Sequence, residues 1–335
     1  MLKIVARVMV SLSAVVVTGV ASAQSPVRLV LDYAMQGQQS PIILAADGGY
    51  FERAGVTVRV DRGYGSGDSI AKVASGAYDV AFADVGAAVT FNSSQGSTRI
   101  IDVFQVYDAA PMVMLSLTKS HINKPADLAG KRIASPPGAS SRVMFPTFAA
   151  VNNIDTSKIN WIDVTPQLRE TLLKQGQADA TTALITDVAG LNRLNLSEDQ
   201  ISIMRFSDYG VNLYGHAILT TPAFAAKNPD VIRKLVKGVA EALKASIATP
   251  AAAISALAKR EALVEPSIEQ RRLDLVLANA IVTDHVKMAG LSAVEMDRMQ
   301  KTIDLITTTL KKPTMKAAEL YHPEYLPQRG ELMLP

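Results

Sequence analysis

The sequence predicts an α/β protein of two lobes, each a sheet covered by helices, joined by two crossing strands with a cleft between them. Three observations carry this. Short apolar, strand-like runs alternate with helical periods from Val27 to Phe206, the pattern of a parallel sheet covered by helices. The order strand, small-residue turn, helix start occurs twice, around GYGSGDSIAKVASGAYDVAFAD (Gly63 to Asp84) and around IASPPGASS (Ile133 to Ser141). Two further strand-like segments, PMVMLSL (Pro111 to Leu117) and YGHAILT (Tyr214 to Thr220), stand where the chain has to cross to a second lobe and return. The lobes expected are 27–110 with 216–335, and 111–215 inserted between them. Two crossings make two hinge strands, and hence a cleft that can close.

Taken in order, Val27 to Asp32 is a strand ending in Asp32-Tyr33, and AMQGQQSP is a polar loop. Ile42 to Phe51 reads as a helix, and Val56 to Val60 as the next strand. Gly63, Gly65 and Gly67 then permit close approach to the main chain, and Asp68 or Ser69 is suited to cap the helix that follows. Tyr78 to Ala83 is a strand with Asp84 at its end. Ligands of open α/β sheets bind outside such strand ends, where helix N-termini favour polar or anionic groups. Asp32-Tyr33, Tyr64 to Gly67 and Asp84 therefore converge on one rim. Asp32 and Asp84 are equally suited to capping the segments after them, and Tyr33, Tyr64 and Tyr107 to packing at the rim of a core.

Ile100 to Val106 is a strand, Lys124 to Arg132 a short helix and turn, and Ile133 to Ser135 a strand. Pro136 to Ser141 is the second glycine-containing turn, with a helix from about Arg142 to Asn152. Arg142 can bind an anion or lie on a solvated face. Trp161 to Val164 is a strand, Gln167 to Gln175 a helix, Ala178 to Leu184 a strand with Asp187 beyond it, and Ile201 to Phe206 another strand. Asn228-Pro229 starts a helix whose apolar stripe is Ile232, Leu235, Val236, Val239 and Leu243. Ala251 to Ala258, Ile268 to Ala289 and Ala293 to Leu310 are further helices.

Met1 to Ala23 reads as an export leader. Lys3 and Arg7 precede an apolar run, Val8 to Val20, and Ala21-Ser22-Ala23 is an A-x-A cleavage signature. Cleavage after Ala23 would release roughly 310 residues, enough for two domains, into the periplasm. Of the net charge of +3, Lys3 and Arg7 account for two, and the remaining +1 gives no basis for nucleic-acid binding. The chain has no cysteine, hence no disulfide and no thiol chemistry. Its four histidines, His121, His216, His285 and His322, show no metal-ligand spacing, so no metal and no cofactor is expected. No G-x-S-x-G, H-E-x-x-H or G-K-[ST] motif is present, and no enzymatic activity is expected.

LDY (Leu31 to Tyr33), GGYFERAGVTV (Gly48 to Val58), GSGDSIAKVASGAYDVAFAD (Gly65 to Asp84), KPADLAGKRIASPPGASS (Lys124 to Ser141), LLKQGQADA (Leu172 to Ala180) and AELYHPEYL (Ala318 to Leu326) together resemble the periplasmic substrate-binding proteins of ABC importers. The resemblance is to the branch that carries thiamine pyrimidine precursors, nitrate, taurine and alkanesulfonates. It implies a type II periplasmic-binding-protein fold, a small-molecule ligand between the lobes, a monomer, and an inner-membrane permease with its cytoplasmic ATPase as partner. Carried over by motif, the ligand-binding residues are Asp32, Tyr33, Tyr64, Gly65, Ser66, Gly67, Asp84, Gly138, Ala139, Ser140 and Asp187. Carboxylates make charge-assisted hydrogen bonds to an amino-substituted ring and repel a sulfonate. Asp32, Asp84 and Asp187 thus favour a pyrimidine-like or other heteroaromatic ligand. An alkanesulfonate, taurine or nitrate is the alternative, and an exported enzyme on the same fold the reading from another class.

Overall fold

The computed structural model describes residues 25–94 and 99–334; the expected leader, Met1 to Ala23, lies outside them. The chain opens with β1 (Val27–Leu31), α1 (Ser40–Asp47), α2 (Tyr50–Ala54), β2 (Val58–Asp61), α3 (Ser66–Ala74), β3 (Val80–Asp84), α4 (Val85–Asn92) and β4 (Ile101–Gln105). It crosses on β5 (Met112–Leu117) and continues through β6 (Arg132–Ser135), α5 (Ser140–Val151), β7 (Asn160–Asp163), α6 (Arg169–Lys174), β8 (Ala180–Leu184) and β9 (Ile201–Arg205). It returns on β10 (His216–Thr220). The helices α7 (Pro222–Lys227), α8 (Pro229–Ala248), α9 (Pro250–Arg260), α10 (Pro266–Val276), α11 (Asp284–Ala289), α12 (Met296–Thr309), α13 (Ala317–Leu320) and α14 (Arg329–Leu332) follow.

The strands form two five-stranded sheets of the same plan, β2-β1-β3-β10-β4 and β7-β6-β8-β5-β9. The α/β fold of two linked sheets is as the sequence predicts, but neither sheet is wholly parallel. β10 runs antiparallel between β3 and β4, and β5 antiparallel between β8 and β9. A strand that enters from the other sheet arrives at the opposite end, so it runs against its neighbours. Both sheets also begin with the same clip. The Arg28 backbone and guanidinium donate to Asp79 at 2.7–3.0 Å and to the Gly76 carbonyl at 3.0 Å. Arg132 does the same to Asp179 at 2.7–3.1 Å and to the Gly176 carbonyl at 2.7 Å.

Three local differences from the sequence reading have simple causes. The helix expected over Ile42 to Phe51 is two helices, because Gly49 adopts φ +76° and breaks it. The helix expected over Ile268 to Ala289 ends at Val276, passes through one π turn (Leu277–Ile281), and restarts at Asp284 with Thr283 as cap. Neither Asp68 nor Ser69 caps α3, which starts at Ser66. Asp68 lies in its first turn, and the Ser69 hydroxyl donates to the Leu31 carbonyl at 2.7 Å.

One apolar core lies on the side of the first sheet covered by α1, α2, α8, α9 and α10. A second runs between the sheets without interruption, taking Val30, Ile70 and Ala81 from the first and Met112, Phe145 and Phe148 from the second unit. Helix α12 presents Met299, Ile303 and Ile306 to this shared core, a stripe at helical spacing. Ile303→Ala should therefore lower the unfolding free energy by about 2–5 kcal/mol. Lys301→Ala, on the exposed face of the same helix, should stay within about 0.5 kcal/mol. Urea denaturation of the two variants checks the difference.

Candidate ligand-binding cleft

The facing strand ends of the two sheets line a narrow cleft with about 30 Å3 of free space. Its lining includes residues at the start of four helical segments, two from each side: Gln38 in the 3-10 turn (Gly37–Gln39) before α1, and the first residues Ser66 of α3, Ser140 of α5 and Arg169 of α6. This follows from the repeated topology, since the parallel strands of each sheet turn into their helices at the same edge. Of the residues singled out from sequence, Asp32, Tyr33, Gly65, Ser66, Ala139, Ser140 and Asp187 line the space together. Gly67 and Gly138 lie beside it and join the two units: the Gly67 amide donates to the Gly138 carbonyl at 3.1 Å. Gly65, at φ +136°, has no room for a Cβ, which would collide with the Gly138 carbonyl. Tyr64 is 57% exposed and meets Lys72 and Arg62 instead, and Asp84 is behind the lining.

Asp84 is wholly buried and caps α4, its Oδ1 accepting from the Ala87 amide at 2.9 Å. Its backbone amide donates to Ser66 Oγ at 3.1 Å, which leaves the Ser66 hydroxyl proton free. Burial pushes the Asp84 carboxyl above its ordinary value. Asp32 accepts from Gln39 Nε2 and is paired with His216 Nε2, both at 2.9 Å. Asp187 sits in a ten-residue 3-10 segment after β8 (Ile185–Leu194) and is held by Arg169 at 2.8 Å and by Arg272 of α10 at 3.4 Å. Arg169 also binds Glu170 at 2.6 Å and the Thr182 carbonyl at 3.1 Å. Burial opposes its charge, but Asp187 and Glu170 outweigh burial and raise its pKa. Arg272 in turn lies 3.5 Å from Glu269, which accepts from the Gly37 amide at 2.7 Å. Gly190 leaves room for the Arg272 guanidinium, because a Cβ there would lie 2.6 Å from Nη2. A buried chain of five charges thus runs from the second unit into the C-terminal helices of the first.

The three acids are therefore already occupied. What faces the space unpaired is different in kind. The backbone amides of Ser66, Ser140 and Ser141, and the hydroxyls of Ser140, Ser141 and Tyr33, have no hydrogen-bond partner among the described residues. Burial raises the Tyr33 hydroxyl well above its ordinary range, so it stays a donor. The opposing feature is Gln38 Oε1, a buried acceptor with no partner. Arg142 is not part of the lining. It stacks on Trp161, 3.1 Å from the ring centroid.

Sequence reading missed Gln38, Ser141, Arg169 and Leu184 of the lining, and His216 behind it. Arg169 was accessible through the internal repeat, since it opens the helix after β7 as Ser66 opens the helix after β2. His216 gave no such signal, because its partners come from distant strands.

The NMT1/THI5-like family profile matches residues 36–253, well over half of the chain. The chain belongs to the NMT1/THI5-like family. No curated protein matches its sequence significantly. Among solved structures, one from Bordetella bronchiseptica RB50 superposes with a TM-score of 0.73 at 18% identity, over 90% of this chain and 96% of that one. The alkanesulfonate-binding protein SsuA of Xanthomonas axonopodis pv. citri, bound to MOPS, gives 0.69 at 18% identity, over 90% and 99%. The periplasmic aliphatic sulphonate binding protein SsuA of Escherichia coli gives 0.65 at 17% identity, over 86% and 88%. This family member accordingly has the two-lobed periplasmic-binding-protein fold.

The charge chain supplies a stability test. Asp187→Ala should cost about 3 kcal/mol, since it leaves Arg169 buried with Glu170 alone. The double variant Arg169→Met, Asp187→Leu should lose less than that single change. Urea unfolding of the three proteins measures both.

Proposed function

We propose that the chain is the extracytoplasmic solute-binding component of an ABC importer, which closes its lobes over one small solute and delivers it to an inner-membrane permease. The solute we infer carries an oxyanion, of the sulfonate kind. The observation behind this is the supply of free donors: amides and hydroxyls at Ser66, Ser140 and Ser141 converge from two helix N-termini, while Asp32 is paired with His216 and Gln39 and Asp187 with Arg169 and Arg272. Helix N-termini favour such a group, and each charge-assisted hydrogen bond contributes about 1.5–3 kcal/mol. Two of the structural neighbours are sulfonate-binding proteins, which agrees with this reading. Export to the periplasm, with cleavage after Ala23, belongs to the same proposal.

A pyrimidine-like or other heteroaromatic ligand is the second reading. It is favoured by the unpartnered Gln38 Oε1 beside Asp32 and Tyr33, which suits an amino-substituted ring. A thermal-shift panel of taurine, longer alkanesulfonates, nitrate and aminopyrimidines separates the two. At 100-fold over Kd a true ligand stabilises by about 2.7 kcal/mol. We expect a sulfonate to shift the melt and the aminopyrimidines not to; the reverse pattern sinks the oxyanion reading. With the responding sulfonate, Ser140→Ala should weaken binding roughly tenfold by calorimetry. Recovery of that solute intact after prolonged incubation argues against turnover, and a product would favour an exported enzyme.

A further inference from the structure

His216 lies directly behind the cleft, on the returning strand β10, and is wholly buried. Its Nε2 contacts Asp32 Oδ2 at 2.9 Å, so the carboxylate that lines the cleft is gripped from behind. Its other ring nitrogen, Nδ1, is buried with no partner, and so is Asp84 Oδ2. These two unpartnered atoms belong to residues paired directly across β10 and β3. The ring is walled by Phe82 at 5.2 Å and Tyr107 at 4.9 Å between centroids, which keep water out. The titratable groups that face it are Asp32 from the end of β1, Asp84 from the end of β3, and Tyr107. Tyr107 donates its hydroxyl to the Gln38 carbonyl. No cation competes for these two carboxylates among the described ion pairs.

We propose that His216 is the fixed counter-ion of the cleft, an imidazolium held between Asp32 and Asp84 that positions the Asp32 carboxylate and cancels its charge toward the ligand. A neutral ring has one proton and can serve only one of the two acids. A doubly protonated ring attracts both, and leaves the Asp32 carboxylate oriented but no longer repulsive. That use of the charge rests on the oxyanion reading above, whereas the protonation state itself does not. Burial alone would lower the pKa of the ring, but Asp32, and after it Asp84, outweigh burial and raise it. With the folded value above the unfolded one, the stabilisation is complete below the ordinary histidine value of about 6.5 and is lost as pH rises through the folded value.

Nitrogen-15 spectra of the histidine rings test this in the intact protein without added solute. Only four histidines are present, and His121 is exposed. We expect the His216 ring to keep both protons above the ordinary histidine value of about 6.5. The signal should vanish in His216→Gln, and its titration should move to lower pH in Asp84→Asn and in Asp32→Asn. If His216→Gln does not fold, removal of the other three histidines assigns the ring instead. The melting-temperature advantage of the wild type over His216→Gln should shrink as pH rises above about 6.5. A His216 ring that loses its second proton at or below about pH 6.5, or a titration unmoved by Asp84→Asn, overturns the proposal. A failed sulfonate panel with a doubly protonated ring would reject the ligand and not the counter-ion.

Discussion

The structure depends on two stretches of main chain meeting without side chains between them. Gly65 has no space for a Cβ against the Gly138 carbonyl, and the Gly67 amide is hydrogen-bonded to that same oxygen. Any other residue at position 65 would prise the units apart and open the cleft. With the glycines in place, two helix N-termini from opposite sides come within reach of a single small group. The donor-rich floor and the limited volume are consequences of that approach.

Electrostatics is the point at which pairing matters more than composition. Read as isolated side chains, Asp32, Asp84 and Asp187 describe a negative pocket that repels anions. In the folded chain one caps a helix, one is gripped by His216 and Gln39, and one is held by two arginines. Buried charges of this kind are tolerable only with such partners. The partners therefore decide what a ligand meets, and the charged ones come from α6, α10 and β10, outside the motifs that carry the acids.

This explains how much could be read in advance. The α/β alternation, the repeated turn and the two crossing strands are local patterns, and local patterns survive in a sequence. Seven of the lining residues stand at strand ends or glycine turns, where the rule about ligands and strand ends applies. Arg169 is legible only through the repeat, and His216 was harder. Nothing in its neighbours announces it, since a histidine in an apolar strand is ordinary. The antiparallel course of β5 and β10 was likewise hidden, because strand direction is a property of the whole path. Glycine breaks within helices were visible as residues but not as interruptions, since Gly48-Gly49 equally suits a helix end.

The Arg28–Asp79 and Arg132–Asp179 clips are the same knot tied twice, down to the carbonyl of a glycine three residues before the acid. Sheets of matching strand order carry them. Such duplication makes the cleft a meeting of two related surfaces, like a pair of similar hands. Its handedness toward a solute then arises only where the copies have diverged. Ser66 opens a helix on one palm and Arg169 opens its counterpart on the other, so that exchange of one small hydroxyl for a guanidinium gives an otherwise even-handed grip a front and a back.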